Sequence, residues 1–265
     1  MNSFFNYRFT FSYTLRDNID INKLIKSIKT LNKINKIFKL EKCRTIDTND
    51  NKIYIFIENN NITVNFSHLF YDGYSIFFIL KKIDEIYKDE IKNHKFDIYD
   101  SKVSIIEICY NNIILLSKLN YKNAYNFIFK KNKKTIKIAK TNFNKLSSKE
   151  IIHHTVNKLG IKNYCLILNA RKIHTEYENF LGNLVYFSNN ININEDIRSV
   201  LENDEKINLE KKLNSSVPDG LLINSYLSFV LPSYVKKMSL YSVIGNVVMI
   251  HPINNDEKYI VVDYY

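Results

Sequence analysis

From Phe5 to Leu15 apolar and polar residues alternate with a period of two, which predicts a half-buried strand. Asp17 to Asp20 then offers polar capping. Beyond it Ile21, Leu24, Ile25, Ile28 and Leu31 recur at the three- and four-residue spacing of a helix buried on one face. Lys52 to Ile57 and Asn61 to Phe66, separated by Glu58-Asn59-Asn60, predict a hairpin. A second amphipathic helix follows from Tyr74 to Lys92, carrying Ile76, Ile79, Leu80, Ile83, Ile86 and Tyr87 on its apolar face. The polar stretch Asn93 to Lys102 is the best boundary in the chain and divides an N-terminal lobe, residues 1–95, from a C-terminal lobe, residues 96–265.

The second half repeats the logic more loosely. Helices are predicted at Val103–Leu119 and Ser147–Leu159, the latter opened by the capping box Ser147-Ser148-Lys149-Glu150. Strands follow at Asn163–Ala170 and Gly182–Ser188, then a helical Glu195–Glu202. Leu221 to Val235, interrupted by Asn224, Ser225, Ser228, Pro232 and Ser233, falls short of the roughly twenty apolar residues of a membrane span and reads as a core helix. Leu240 to Tyr265 reads as two or three closing strands around a Gly245-Asn246 turn. Strands and helices in both halves imply an α/β fold of two related lobes facing each other across a cleft.

Composition narrows the class. The 265 residues, 45% of them hydrophobic, suffice for a core without covalent staples. Cys43, Cys109 and Cys165 are odd in number and far apart, so neither a disulfide framework nor a C-x-x-C metal site is expected, and the chain reads as cytoplasmic. Met1 to Arg8 lacks the apolar run and cleavage site of a signal peptide. The formal charge of +11, from 38 Lys and Arg against 27 Asp and Glu, would attract phosphates, acidic proteins or anionic membranes without choosing among them. The densest basic run, Lys130-Lys131-Asn132-Lys133-Lys134, precedes a short strand and reads as a solvated loop or as a contact for phosphate or an acidic carrier. A basic protein binding nucleic acid or a membrane surface rests on charge alone, since the chain carries no recognised nucleic-acid motif.

Chemistry concentrates where the hairpin's second strand meets the second helix. Val64-Asn65-Phe66-Ser67-His68-Leu69-Phe70-Tyr71-Asp72-Gly73-Tyr74-Ser75 sets one histidine and one aspartate at a strand-to-helix turn. An imidazole is suited to general-base work near neutral pH. Downstream, Tyr164 to Arg171 is a buried-looking strand ending in Asn-x-Arg, followed by Phe180-Leu181-Gly182-Asn183. His153 and His154 are adjacent on a helix and point apart, which makes them a poor metal pair.

The His-x-x-x-Asp-Gly pattern followed by such a helix resembles the active-site motif of the chloramphenicol acetyltransferase superfamily, which includes peptide-synthetase condensation domains and plant BAHD acyltransferases. The Asn-x-Arg strand and the aromatic-x-Gly-Asn segment match the plant and alcohol acyltransferases in the family's order. The resemblance implies two chloramphenicol acetyltransferase-like lobes with mixed sheets and an active-site tunnel at their junction. Only about sixty residues precede the histidine, so the first lobe is expected to be shortened. It implies transfer of an acyl group from a thioester, on coenzyme A or a carrier protein, to a hydroxyl or amine, with His68 as base and no bound cofactor or metal. Asp72 would turn from the substrate and pair with Arg171, and Gly73 would ease the turn into the helix. Asn169, Gly182, Asn183 and Ser242 are candidate tunnel or oxyanion contacts. Small-molecule donor and acceptor, and an acidic carrier protein, are the implied partners, and a homo-oligomer could complete the site. Ser67 stands where many members carry another histidine, and the plant Asp-Phe-Gly-Trp-Gly motif is absent. An inactive member of the fold, acting as a binding or scaffolding protein, is the competing reading.

Overall fold

In the computed structural model the residues described are 8–41, 52–68, 70–92, 94–98, 134–139, 147–169, 171, 178–182, 184–188, 190–195, 221–226, 229–240, 247–252 and 259–264. The first part of the chain forms β1 (Arg8–Leu15), α1 (Ile21–Asn35), β2 (Phe38–Glu41), β3 (Ile53–Glu58), β4 (Asn61–Ser67), α2 (Gly73–Tyr87) and β5 (Asp97–Ile98). The rest forms β6 (Lys134–Ala139), α3 (Ser148–Lys158), β7 (Asn163–Asn169), β8 (Phe180–Leu181), β9 (Val185–Phe187), β10 (Ile191–Asn192), β11 (Leu221–Ser225), β12 (Val235–Leu240), β13 (Val247–Pro252) and β14 (Tyr259–Tyr264). The architecture is mixed α/β in two compact units. The first comprises Met1–Val103, Glu176–Asn183 and Val230–Ser242; the second comprises Ser104–Thr175, Leu184–Phe229 and Val243–Tyr265.

Unit 1 is built on a five-stranded sheet in the order β12-β1-β4-β3-β2. Its neighbours are antiparallel except β2 and β3, which run parallel. The predicted hairpin is β3–β4, closed by Asn59 and Asn60, both at positive φ, a conformation asparagine tolerates and a two-residue turn of the type I′ class requires. Register puts Phe11 opposite Val64 and Val64 opposite Ile55, so one face of the sheet is continuously apolar. Leu24, Ile28 and Leu31 of α1 and Ile76, Phe77, Ile79, Leu80 and Ile83 of α2 are buried in the same unit. Phe11 meets Phe77 with ring centroids 6.0 Å apart. Each such side chain contributes about 1.5–3 kcal/mol by leaving water. The edge strand β12 is fastened to α2 from the loop before it, where the Ser233 amide and hydroxyl donate to the Asp84 carboxylate and the Tyr234 hydroxyl donates to the Leu80 carbonyl. The short parallel pair β5–β8 also belongs here.

In unit 2 the sheet runs β10-β7-β11-β13-β14-β6, with β9 also pairing β7. The β7–β11 and β11–β13 pairs are parallel and the others antiparallel. Ile151, Ile152 and Val156 of α3 pack on Tyr164, Leu166, Ile223, Val248 and Ile250 of the sheet.

One prediction fails here. The segment 221–235 is not a helix: Leu221–Ser225 is a central strand with parallel neighbours on both sides, and Val235 begins β12. A strand buried between parallel partners loses the alternation that marks a strand, so a short apolar run looks the same in either state. The expected strand Gly182–Ser188 is narrower, confined to Val185–Phe187, with Phe180–Leu181 paired separately. The predicted helix Val103–Leu119, most of Glu195–Glu202 and the Gly245-Asn246 turn lie outside the described residues.

Candidate active site

The end of β4 turns sharply. The Ser67 carbonyl accepts the amides of Phe70 and Tyr71, each at 3.1 Å, which folds the chain back directly after His68. Ser67 is buried and serves the turn through its backbone carbonyl. The His68 ring lies half-buried against Phe9 of β1, edge to face at 4.5 Å, with Phe66 at 6.4 Å.

The ring's protonation state follows from one contact. His68 Nδ1 lies 2.9 Å from the Tyr71 carbonyl oxygen. A carbonyl can only accept, so Nδ1 carries the proton and Nε2 of the neutral ring holds the basic lone pair. Burial pushes the His68 pKa below its ordinary 6.5, and it outweighs the Tyr71 hydrogen bond and the negative charge of Asp72, which act the other way. At neutral pH the imidazole is therefore a neutral base.

Asp72 is fully buried, which a lone carboxylate could not sustain without donors. It is the N-cap of α2: Oδ1 accepts the Ser75 amide and the Ser75 hydroxyl, both at 2.8 Å. A carboxylate here also meets the positive end of the helix dipole. Gly73 is the first helical residue and buried. Ser75, which the sequence reading passed over, then reaches 107 residues along the chain. Its Oγ accepts the Gly182 amide at 3.2 Å and lies 3.0 Å from the Gly182 carbonyl oxygen. Gly182 itself is buried, and a Cβ there would run into the Phe180 ring, so only glycine fits without displacing that side chain. The one early signal for Ser75 was its place at the third position of a capped helix.

In unit 2 the end of β7 holds the other half of the expected set. Arg171 is buried, and its amide and Nη1 donate to Asn169 Oδ1 at 3.0 and 3.1 Å. Those two donors fix the orientation of the Asn169 amide, and its Nδ2 is buried with no acceptor among the described residues. Asp72 belongs to unit 1 and Arg171 to unit 2. Asn183 and Ser242 lie outside the described residues. His153 and His154 diverge as expected, the first with Nδ1 2.9 Å from the Tyr164 hydroxyl and the second exposed. Burial pushes the Tyr164 hydroxyl up to about 12, so it stays protonated. Among the described residues no group of three metal-ligating side chains comes together, and no helix is long and apolar enough to cross a membrane.

No family model and no curated protein matches the sequence. Solved structures do match the fold. The first condensation domain of the calcium-dependent antibiotic synthetase, in complex with a substrate analogue, aligns at TM-score 0.60 and 9% identity, covering 98% of this chain and 85% of that one. The starter condensation domain of rhizomide synthetase, in complex with C8-CoA and Leu-SNAC, aligns at 0.59 and 7%, covering 98% and 83%. VibH, an NRPS condensation enzyme, aligns at 0.56 and 11%, covering 97% and 85%.

Proposed function

We propose that this chain, which has the condensation-domain fold, is an acyltransferase: it passes an acyl group from a thioester, on coenzyme A or a carrier protein, to a hydroxyl or amine, with His68 as general base. The observation that carries the reading is the Nδ1 contact to the Tyr71 carbonyl, which leaves the basic lone pair on Nε2 of a ring whose pKa burial lowers below its ordinary value. In the reaction Nε2 would take the acceptor's proton as its oxygen or nitrogen attacks the thioester carbonyl, and return it to the departing thiolate. No covalent enzyme intermediate is required. Asp72 acts by holding the turn and takes no part in moving the proton. Substrate analogues and C8-CoA in the fold's neighbours support a thioester donor, and the +11 charge suits an acidic carrier.

His68→Ala tests the reading. Acyl transfer should fall by about a hundred- to ten-thousand-fold, the range for a positioned base, with thioester binding retained. A variant as active as the parent would sink the mechanism. A parent with no turnover across a broad acceptor panel, but with a saturable protein partner, would favour the scaffolding role.

A further inference from the structure

We propose that Ser75 is a positioning residue of this site: its hydroxyl, through Asp72, fastens the turn that carries His68 to the Gly182 segment. The inference rests on the acyl-transfer reading for its kinetic consequence, while its geometric content stands without that reading.

A serine hydroxyl has one proton to give and two lone pairs to offer. Ser75 Oγ has two acceptors within reach, Asp72 Oδ1 at 2.8 Å and the Gly182 carbonyl at 3.0 Å. It also has one donor, the Gly182 amide at 3.2 Å. The shorter contact is to the charged acceptor, and charge-assisted bonds are about twice as strong as neutral ones, so the proton goes to Asp72. The lone pairs then take the Gly182 amide. This arrangement joins the end of the turn at residue 72 and the first turn of α2 at residue 75 to residue 182, 107 positions later. Ser75 and Asp72 have no exposed surface, so every one of these bonds is made away from water, where a lost partner is most costly.

The effect reaches His68 through the backbone. The ring is oriented by the Tyr71 carbonyl, and Tyr71 is the residue before Asp72. A loosened Asp72 lets that carbonyl drift and opens the ring further to water, relaxing the burial that lowers its pKa. Among the described residues Phe9 of β1 and Phe66 of β4 are apolar neighbours of the ring, and Asp72 acts on it by its charge. A purely structural serine would affect stability and leave this ring alone.

The test uses the full chain with ring-labelled histidine, titrated by NMR, with the His68 signal assigned by its loss in His68→Gln. Ser75→Ala keeps the Asp72 cap and places a strong helix former inside α2, so the helix persists. Ser75→Cys keeps the side chain nearer its size without a good hydrogen bond, and serves if the alanine variant does not fold. In either variant the His68 midpoint should move up toward 6.5 as water enters. Turnover should fall by about ten- to a hundred-fold with KM little changed, as a misplaced base predicts. Ser75→Thr, which restores the hydroxyl, should recover both readouts in part. A His68 titration unchanged in the folded Ala and Cys variants overturns the proposal, even if the melting temperature drops. A parent without turnover whose His68 midpoint still shifts in Ser75→Ala overturns the acyl-transfer reading and supports the placement of Ser75.

Discussion

The starts of α2 and α3 obey the same local rule and differ in everything around it. At α3, Ser147 Oγ accepts the Glu150 amide and Glu150 Oε2 accepts the Ser147 amide; Ser147 is exposed, Glu150 is half-buried, and the box closes within four residues. At α2 the cap is a carboxylate with no exposed surface, and the residue that donates to it is bonded to a segment from far along the chain. The first is a local device of its helix start. The second costs the fold a buried charge and ties the turn to a segment from far along the chain, as the proposed base at His68 would require. A cap whose partners are local and wet is stability; one whose partners are distant and dry holds geometry.

The sharpest way to break that contrast is at the base. His68→Ala should remove about a hundred- to ten-thousand-fold of turnover in a single-turnover acyl-transfer assay, whereas His153→Ala on α3 should leave turnover unchanged. Next comes the cap. Asparagine caps a helix as well as aspartate does, so Asp72→Asn should leave the circular dichroism spectrum intact and lower turnover by about ten-fold or more through the disturbed turn. A double-mutant cycle of Asp72→Asn with Arg171→Gln measures the brace that the family resemblance implies. A coupling above about 0.5 kcal/mol supports it and strict additivity rejects it.

Smaller effects separate stability from geometry. Ser147→Ala should cost about 0.5–2 kcal/mol in denaturant unfolding and nothing in turnover. The smallest effect is in pH. Burial lowers the His68 pKa in the folded chain, so the unfolded chain takes up this proton first as pH falls. The ring's contribution is therefore complete above the unfolded value near 6.5, declines as pH falls below it, and is lost once pH passes the lower folded value. The slope cannot exceed about 1.4 kcal/mol per pH unit. Comparing the parent with His68→Gln across pH 7 to 4 isolates it. A parent whose stability rises relative to the variant on acidification would contradict the lowered His68 pKa.

Legibility in the sequence tracked how local each device is. The hairpin β3–β4, the helices α1, α2 and α3 and the Ser147 box are set by neighbours a few residues apart, and all were readable. His68 and Asp72 stood out because a strand period and a helix period meet there. Ser75 did not, because a serine in the first turn of a helix is ordinary until Gly182 is brought against it.

By itself, then, the sequence determined the period of each element, the asparagine turn, the helix starts and the pairing of a histidine with a capping aspartate, since all rest on covalent geometry and nearest-neighbour sterics. Tertiary structure decided the rest. Leu221–Ser225 became a strand because β7 and β13 take up its backbone bonds on both edges. Residues 176–183 and 230–242 joined the first unit, where Asp84 and Ser75 hold them. His68 became a neutral base because Phe9 and the Tyr71 carbonyl close around it. Burial and hydrogen-bond partners are properties of what surrounds a residue, and a linear pattern does not encode which distant segment will arrive.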